Sequence, residues 1–209
     1  MKGEDEVPEN IAPEIQLSRK SGYDIHPIFL NRWSSRAFSR EELTDDELMP
    51  LFEAARWAPS SYNGQLWRFL YAKKSTEDWQ TFFDLLVEGN KVWAKNAAVL
   101  VVILSRKRFE TRDRDSRTHS FEAGSAFENL ALEGTRRGLV VHGMEVFDYE
   151  RAREVLKVAD VFQVEAMVAI GKKGRKEDLP EKLQARERPN SRRPIEEIVM
   201  QGVFHEKPV

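Results

Sequence analysis

The sequence predicts a single domain in which helices pack on a sheet, and three observations lead to this prediction. Residues 97–104, AAVLVVIL, are all apolar and rich in β-branched types, which is typical of a strand buried on both faces near the middle of a sheet. Apolar residues recur at helical spacing after Thr44, and residues 120–138 form the longest candidate helix. With 209 residues, the chain is long enough for one well-packed core and not obviously for two.

The composition is that of a globular, soluble protein with a heavily charged surface, with 41% hydrophobic and 33% charged residues. The formal net charge of -2 and the lack of a long apolar run give no indication of nucleic acid or membrane as a partner. The absence of cysteine excludes disulfides, thiolate metal sites, iron–sulfur clusters and cysteine nucleophiles. The polar first ten residues have no apolar signal core, and we expect a cytoplasmic location.

The first part of the chain predicts a polar arm followed by short and then longer helices. Residues 1–24 have no strong period and are expected to form a flexible N-terminal arm. Residues 26–30 predict one short helical segment. Thr44 and Glu47 have the spacing of a capping box, which predicts a helix that runs to about Trp57.

The central part of the chain predicts a strand, a helix and a charged loop. Residues 67–72 have the pattern of a strand. Ser75 is expected to cap a helix whose apolar face continues to Val87. Residues 105–118 are highly charged and predict a solvated loop, which could gate a pocket or be poorly ordered.

The long candidate helix is followed by two further strands. Residues 120–138 carry many small residues, which allow another helix to approach closely, and Gly138 is expected just after the helix end. The helix is therefore predicted to be central in the domain or part of a subunit interface. Residues 139–147 predict a strand and loop, Asp148 caps a helix, and residues 164–171 predict another strand.

Two arginine clusters lie far apart in the sequence. Arg32 and Arg36 flank the two hydroxyls of the stretch RWSSR, a combination that suits the forked hydrogen bonding of phosphate. A solvated basic turn is the alternative interpretation. Arg192 and Arg193 precede a predicted short helix at residues 195–199.

A polar loop at residues 59–65 joins a helix to a strand. Pro59 disfavours helical backbone before it, and the following residues offer hydroxyls, amides and backbone N–H groups. Trp57 and Trp67 bracket the loop, which favours a planar, hydrogen-bonding ligand between aromatic walls. Ordinary loop and core chemistry remains the alternative.

Hydrolytic, metal and nucleotide-fold motifs are missing. The four histidines lack the paired spacing of a zinc site, and His142 is expected to be a packed or loop histidine rather than a base. There is no Gly-x-Ser-x-Gly elbow, no Walker loop and no Gly-x-Gly-x-x-Gly after a strand. The arginine clusters and the polar loop could together hold a flat, phosphate-bearing cofactor whose chemistry needs no protein nucleophile.

Four segments carry a resemblance to a known family: residues 32–36 (RWSSR), 58–67 (APSSYNGQLW), 142–148 (HGMEVFD) and 192–194 (RRP). The chain resembles the nitroreductase family of FMN-dependent NAD(P)H oxidoreductases over nearly all of residues 26–204. The first segment resembles the family's Arg-x-Ser-x-Arg/Lys motif. The second resembles its Ala-Pro-Ser-x-x-Asn-x-Gln-Pro-Trp motif, with Leu66 in place of the second proline. The third matches the segment along the isoalloxazine edge, and the fourth matches the basic pair that returns to the phosphate.

The resemblance implies an α+β fold with a mixed, mainly antiparallel sheet flanked by helices, in an intertwined homodimer. Residues 25–209 would form the FMN-binding domain, with FMN at the subunit interface and groups from both chains around it. The helix at residues 120–138 would lie in that interface, and the C-terminal segment would embrace the partner and extend its sheet.

The resemblance also assigns a set of cofactor-binding residues. The arginines would neutralise the phosphate, and Ser34, Ser61 and Asn63 would hold ribityl or ring oxygens. A backbone N–H near residues 144–145 would donate to flavin N5. No catalytic side chain and no metal is expected. The implied set is Arg32, Trp33, Ser34, Arg36, Pro59, Ser60, Ser61, Asn63, Gln65, Gly143, Met144, Glu145, Arg192 and Arg193.

The implied activity is ping-pong hydride transfer from NADH or NADPH through flavin N5 to nitroaromatic, quinone or similar small-molecule acceptors. Two alternatives stay open. One is a specialised member of the same fold, such as a flavin-destroying enzyme, a dehalogenase or an azoline oxidase. The other is a flavin-binding protein without useful turnover.

Overall fold

The computed structural model describes residues 10–204, which form a four-stranded sheet with helices on both faces. The strands are β1 (Trp67–Lys73), β2 (Val99–Arg106), β3 (Leu139–Met144) and β4 (Phe162–Lys172). Their order is β1-β2-β4-β3, so β1 and β3 are the two edges, and every neighbouring pair is antiparallel. The predicted α+β fold, with a mainly antiparallel sheet flanked by helices, is confirmed.

Eight helices occur within residues 10–204: α1 (Pro13–Gln16), α2 (Ile28–Asn31), α3 (Asp45–Arg56), α4 (Trp79–Phe83), α5 (Glu88–Ala94), α6 (His119–Arg136), α7 (Tyr149–Val155) and α8 (Glu181–Gln184). The helices α3 and α6 pack on one face of the sheet, and α4, α5 and α7 pack on the other. Within residues 10–204, no helix has the length and the apolar surface that crossing a bilayer requires.

The strand β2 is buried on both faces, as its uninterrupted apolar sequence predicted. Alternate side chains from Leu100 to Leu104 enter the core beneath α4, α5 and α7. The residues between them, from Val99 to Ile103, enter the core beneath α3 and α6. One sheet therefore serves two cores, because successive side chains of a strand point to opposite faces.

Local signals set the ends of the two long helices. The Thr44 side chain accepts a hydrogen bond from the backbone N–H of Glu47, and the Glu47 carboxylate accepts one from the backbone N–H of Thr44, so the predicted capping box forms. Gly138 has a φ of 71° just beyond α6, where a residue without Cβ avoids strain. These predictions are confirmed.

One local prediction, the single helix after Ser75, differs from the structure. The helix expected after Ser75 begins only at Trp79 and ends at Phe83, and a separate helix, α5, follows. The break arises because Leu86 bridges to Phe147 in an extended conformation and the carbonyl of Leu85 accepts a backbone hydrogen bond from Asp148. The sequence signal for a single helix was therefore overridden by a tertiary contact.

The described part of the N-terminal segment contains a short helix that its composition did not predict. A short helix, α1, forms where an extended or mobile arm was expected, and its Ile15 side chain is buried. Residues 1–9 of the predicted arm and residues 205–209 of the predicted partner-embracing tail lie outside the described residues. The domain boundary near residue 25 stays a prediction.

Candidate active site

Guanidinium groups from three parts of the chain converge on one cavity of about 720 Å³ beside β3. The cavity is lined by Arg19, Arg32, Trp33, Ser34, Arg36, His142, Ala185, Arg186, Arg188, Asn190 and Arg192. Six of these side chains are arginines and none is a carboxylate, so the lining concentrates positive charge. Five residues that the sequence singled out meet here: Arg32, Trp33, Ser34, Arg36 and Arg192.

The segment that carries Arg32 and Arg36 is held in place by a buried carboxylate, Glu187. Its Oε1 atom accepts a hydrogen bond from the Ser35 hydroxyl at 2.5 Å and one from the backbone N–H of Arg36 at 2.9 Å. The backbone N–H of Ala37 also donates to Oε1, at 3.3 Å. Because this carboxylate accepts from a hydroxyl and from backbone N–H groups, it fixes the loop without a salt bridge to a guanidinium group among the described residues.

The buried imidazole of His142 forms one wall of the cavity. Its Nδ1 lies 2.9 Å from the carbonyl oxygen of Ser35, so Nδ1 donates, and its ring packs 4.5 Å from the Trp93 ring, centroid to centroid. Burial lowers the pKa of His142, the hydrogen bond to Ser35 opposes this shift, and the charge of Arg36 lowers the pKa further. A packed or loop histidine, rather than a base, was the interpretation that the sequence favoured.

The positive charge of the cavity is only partly compensated by the protein. The nearest carboxylate oxygen to Arg32 Nε is that of Glu128 at 3.6 Å, and this buried Nε has no hydrogen-bond partner within residues 10–204. Burial, together with the charges of Arg192 and Arg32, lowers the pKa of Arg19 to about 10. This donor set fits an anion with several oxygens, such as a phosphate monoester. No group of three His, Asp or Glu side chains in the described chain could hold a metal ion.

The two adjacent arginines at positions 192 and 193 line two different openings. Arg192 lines the arginine cavity, whereas Arg193 lines a neighbouring groove of about 870 Å³. The groove also contains Arg19, Arg32 and Arg192, so the two openings share three guanidinium groups. Arg193 therefore lies near the site without lining the same cavity.

The polar loop at residues 59–65 is fixed at the N-terminal end of α6. The backbone N–H of Ser61 donates to Glu122 Oε1 at 2.9 Å, and its hydroxyl lies 3.0 Å from that of Thr118. Asn63 and Gln65 both have positive φ values, 54° and 48°, a sparsely populated conformation that is typical of functional loops.

Several donors of the polar loop remain available to a ligand. Pro59, Asn63 and Gln65 are exposed, and the side-chain amide of Asn63 has no partner among the described residues. The Ser60 hydroxyl accepts a hydrogen bond from the backbone N–H of Gln65 at 3.1 Å, which closes the loop on itself. The loop can therefore present amides, but its Ser60 and Ser61 hydroxyls already have protein partners.

The interpretation of two tryptophan walls around this loop is wrong. Trp67 is only 6% exposed because its side chain belongs to the core beneath α3 and α6. Trp57 is 71% exposed, but its indole N–H donates to Glu53 and the Arg56 guanidinium lies over its ring. Trp67 is buried because its position on β1 directs its side chain into the core. The contacts with Glu53 and Arg56 hold the Trp57 side chain against the end of α3.

The segment at residues 143–145 ends β3 next to the arginine cavity. A Cβ on Gly143 would come within 3.1 Å of the Phe127 ring, so glycine permits the close approach of α6. The Met144 side chain is buried in the core, whereas Glu145 is exposed. Any contact of Met144 with a ligand must therefore use its backbone.

The arginine cavity and the polar loop do not meet within one chain. The loop precedes β1 and the cavity adjoins β3, and these opposite sheet edges are three strand spacings, or about 14 Å, apart. Both touch α6, the loop through Glu122 and Arg32 through Glu128. Those two positions differ by about 9 Å along the helix and about a third of a turn around it.

Sequence reasoning missed three arginines that line the cavity and the buried glutamate that supports it. Arg19 lies in the stretch interpreted as an arm, and Arg186, Glu187 and Arg188 lie in a charged stretch interpreted as loop. The only signal was the Arg-Glu-Arg alternation, which allows the two arginines to face the cavity while the glutamate faces inward. Their roles depend on contacts with a segment far away in the chain.

Comparison with known proteins gives one consistent family. The sequence model of the Nitroreductase family matches residues 30–172. A crystal structure described as an oxidoreductase containing FMN is 43% identical, with a TM-score of 0.87 over 90% of this chain and 97% of its own.

Two more distant proteins are also similar to this chain. A 15.4 kDa protein of Mycolicibacterium smegmatis is 30% identical over 132 residues, covering 63% of this chain and 87% of its own length. A structure from Desulfovibrio desulfuricans in complex with FMN is 19% identical, with a TM-score of 0.68 over 94% of this chain and 100% of its own. At that identity, the likeness shows the fold alone.

We predict that the adjacent hydroxyls of Ser34 and Ser35 differ in their effect on stability. Ser35→Ala removes a hydrogen bond to a buried carboxylate and should lower the free energy of unfolding by about 1.5–3 kcal/mol. Ser34→Ala is the matched control, because its side chain lines the cavity, and should change it by less than about 0.5 kcal/mol. Urea denaturation of the cofactor-free protein measures both values, and equal effects would contradict the role of Glu187.

Proposed function

Because the chain belongs to the nitroreductase family, as its motifs predicted, we propose that this oxidoreductase uses FMN to pass hydride from NADH or NADPH to nitroaromatic, quinone or similar acceptors. The observation that carries the proposal is the arginine cavity, whose lining has six guanidinium groups and no carboxylate. A phosphate dianion fits this lining better than a neutral or cationic ligand does. The two similar structures that contain FMN support FMN as the ligand of this cavity.

The residues of this chain would act by binding and orientation. Arg32, Arg36 and Arg192 would hold the phosphate, with Ser34 near the first ribityl oxygens. When bound, FMN supplies a ring that accepts hydride and donates it again. The backbone at residues 144–145 would lie along that ring, because it continues from the cavity at the end of β3.

The neutral His142 wall would contribute shape rather than acid–base chemistry. Its Nδ1–H is already donated to a carbonyl group, and burial disfavours the charged form of the ring. No other side chain of the cavity is a general acid with an ordinary pKa near neutrality, since the remaining titratable lining groups are arginines. Protons for an acceptor would come from solvent.

We further propose that the polar loop completes the site in a second copy of the chain. A stripe on one face of α6 consists of the exposed Phe121 and Gly124 and the half-buried Ser125 and Glu128. Phe121 is 76% exposed, and no atom lies within 4 Å of a Cβ built on Gly124. Packing two such stripes around a two-fold axis would cover them and bring the loop of one copy towards the cavity of the other.

The C-terminal segment supports the same assembly. Ile198, Val199, Val203 and Phe204 are exposed large apolar residues in one short stretch. A cluster of this kind is typical of a surface that another chain covers. An FMN site shared between two copies would explain why the two halves lie at opposite sheet edges.

The first test is an absorbance spectrum of the purified protein, followed by NADH or NADPH without oxygen. We expect flavin bands that bleach on addition of the nicotinamide. Bands that persist would indicate a specialised donor or a flavin-binding role. A colourless protein that takes up no added FMN would contradict the proposed function.

Arg32→Ala should weaken FMN binding by about 1.5–3 kcal/mol, because one charge-assisted contact to the phosphate is lost. Arg175→Ala is the control, since Arg175 is exposed and pairs with Asp178 away from the cavity. Fluorescence titration of the cofactor-free proteins gives both affinities. Unchanged affinity in Arg32→Ala would contradict the assignment of the phosphate site.

The protein should be a dimer at micromolar concentration, and Phe121→Asp should shift it towards monomer by placing a charge on the α6 stripe. Val92→Asp is the control, because Val92 is a partly exposed apolar residue of α5 on the opposite face of the sheet. Light scattering measures both masses. A monomeric unsubstituted protein would overturn the shared-site proposal.

A further inference from the structure

A buried arginine outside the family-matched region reaches the candidate cofactor site. The family match begins at residue 30, whereas Arg19 lies just after α1 and is only 7% exposed. The side chain nevertheless lines the arginine cavity. An arginine is rarely buried to this extent without a partner that offsets the cost of desolvation.

The partners of Arg19 are carbonyl oxygens from two distant segments. Its Nε donates to Asn190 at 2.9 Å, and its Nη1 donates to Leu30 and Arg32, both at 2.6 Å. One guanidinium group thus joins the backbone that carries Arg32 to the backbone that leads to Arg192. These bonds satisfy three of its five N–H groups and leave its charge unneutralised.

The remaining donors are available to a ligand. Within residues 10–204, the Nη2 group of Arg19 has no hydrogen-bond partner, and the buried Nε of Arg32 has none either. The charges of Arg192 and Arg32 both act against the charge of Arg19. Three like charges held this closely favour a bound anion, because each gains an opposite charge.

We propose that Arg19 binds the phosphate group of the cofactor and also positions the two segments that bear Arg32 and Arg192. The proposal rests on the proposed function for the identity of the ligand. It makes the segment from α1 to Arg19 part of the cofactor site, although the sequence assigned this segment to a flexible arm. The chemical class that Arg19 recognises is a phosphate monoester dianion.

The test compares FMN with riboflavin, which has the same ring and ribityl chain but lacks the phosphate. Arg19→Gln should weaken FMN binding about 10- to 100-fold, which corresponds to the loss of a hydrogen bond to a charged group. Riboflavin binding should change by less than about threefold. Arg175→Gln is the exposed control and should leave both affinities unchanged.

Arg19→Lys separates charge from geometry. Lysine keeps the positive charge but lacks the planar fork that bonds three carbonyl oxygens and leaves donors for a ligand, so its FMN affinity should lie between those of the unsubstituted protein and Arg19→Gln. It also provides a folded variant if Arg19→Gln does not fold. Equal losses for FMN and riboflavin in either variant would show a structural role only and would overturn the proposal, as would unchanged FMN affinity.

A measurement without flavin distinguishes this proposal from the proposed function. Inorganic phosphate should raise the melting temperature of the unsubstituted protein above that in sodium chloride of equal ionic strength. The increase should be smaller in Arg19→Lys and smallest in Arg19→Gln, which keeps the other arginines of the cavity. A protein that binds no flavin but shows this pattern would retain the anion site and lose the FMN assignment. The same phosphate response in all three proteins would overturn the role of Arg19.

Discussion

Guanidinium groups that share one cavity repel each other, so the fold must hold them together. They can attract an anion only if the contacts that hold them do not pair them with carboxylates of the protein. Two kinds of contact do this here. Arg19 donates to carbonyl oxygens, and Glu187 accepts from a hydroxyl and from backbone N–H groups of the Arg32–Arg36 segment. In both cases the hydrogen bonds join a side chain to the backbone or to a hydroxyl, and no arginine of the cavity is paired with Glu187. The cavity is therefore preorganised for an anion before the anion arrives.

The sheet determines which ligand-binding groups a single chain can bring together. Since β2 is covered on both faces, ligand groups must come from the edges and ends of the sheet. The edge strand β3 carries the arginine cavity, and the polar loop is attached to the opposite edge strand, β1. The helix α6 contacts the loop through Glu122 and the cavity through Glu128, which lies in the α6 stripe. This arrangement gives a shared site in a dimer a geometric rationale.

The sequence predicted features that depend on neighbours along the chain. The capping box at Thr44, the doubly buried β2 and the glycine after α6 were all predicted because their signals are local. The Arg32–Arg36 cluster was identified from its motif. Arg19 and Glu187 were missed, since each is an isolated charged residue whose role appears only when distant segments meet. Trp67 was misinterpreted because its position on a strand, and not its closeness to the loop, determines where its ring points.

The most direct measurement is the FMN stoichiometry of a mixed dimer in which one subunit carries Arg32→Ala and the other carries Asn63→Ala. If the cavity of one copy works with the loop of the other, both substitutions fall in one site and the second site is intact. The mixed dimer should then bind one FMN with unsubstituted affinity, although each parent homodimer binds weakly at both sites. Two weakened sites in the mixed dimer, with none of unsubstituted affinity, would contradict a shared site and place the cavity and the loop in the same chain.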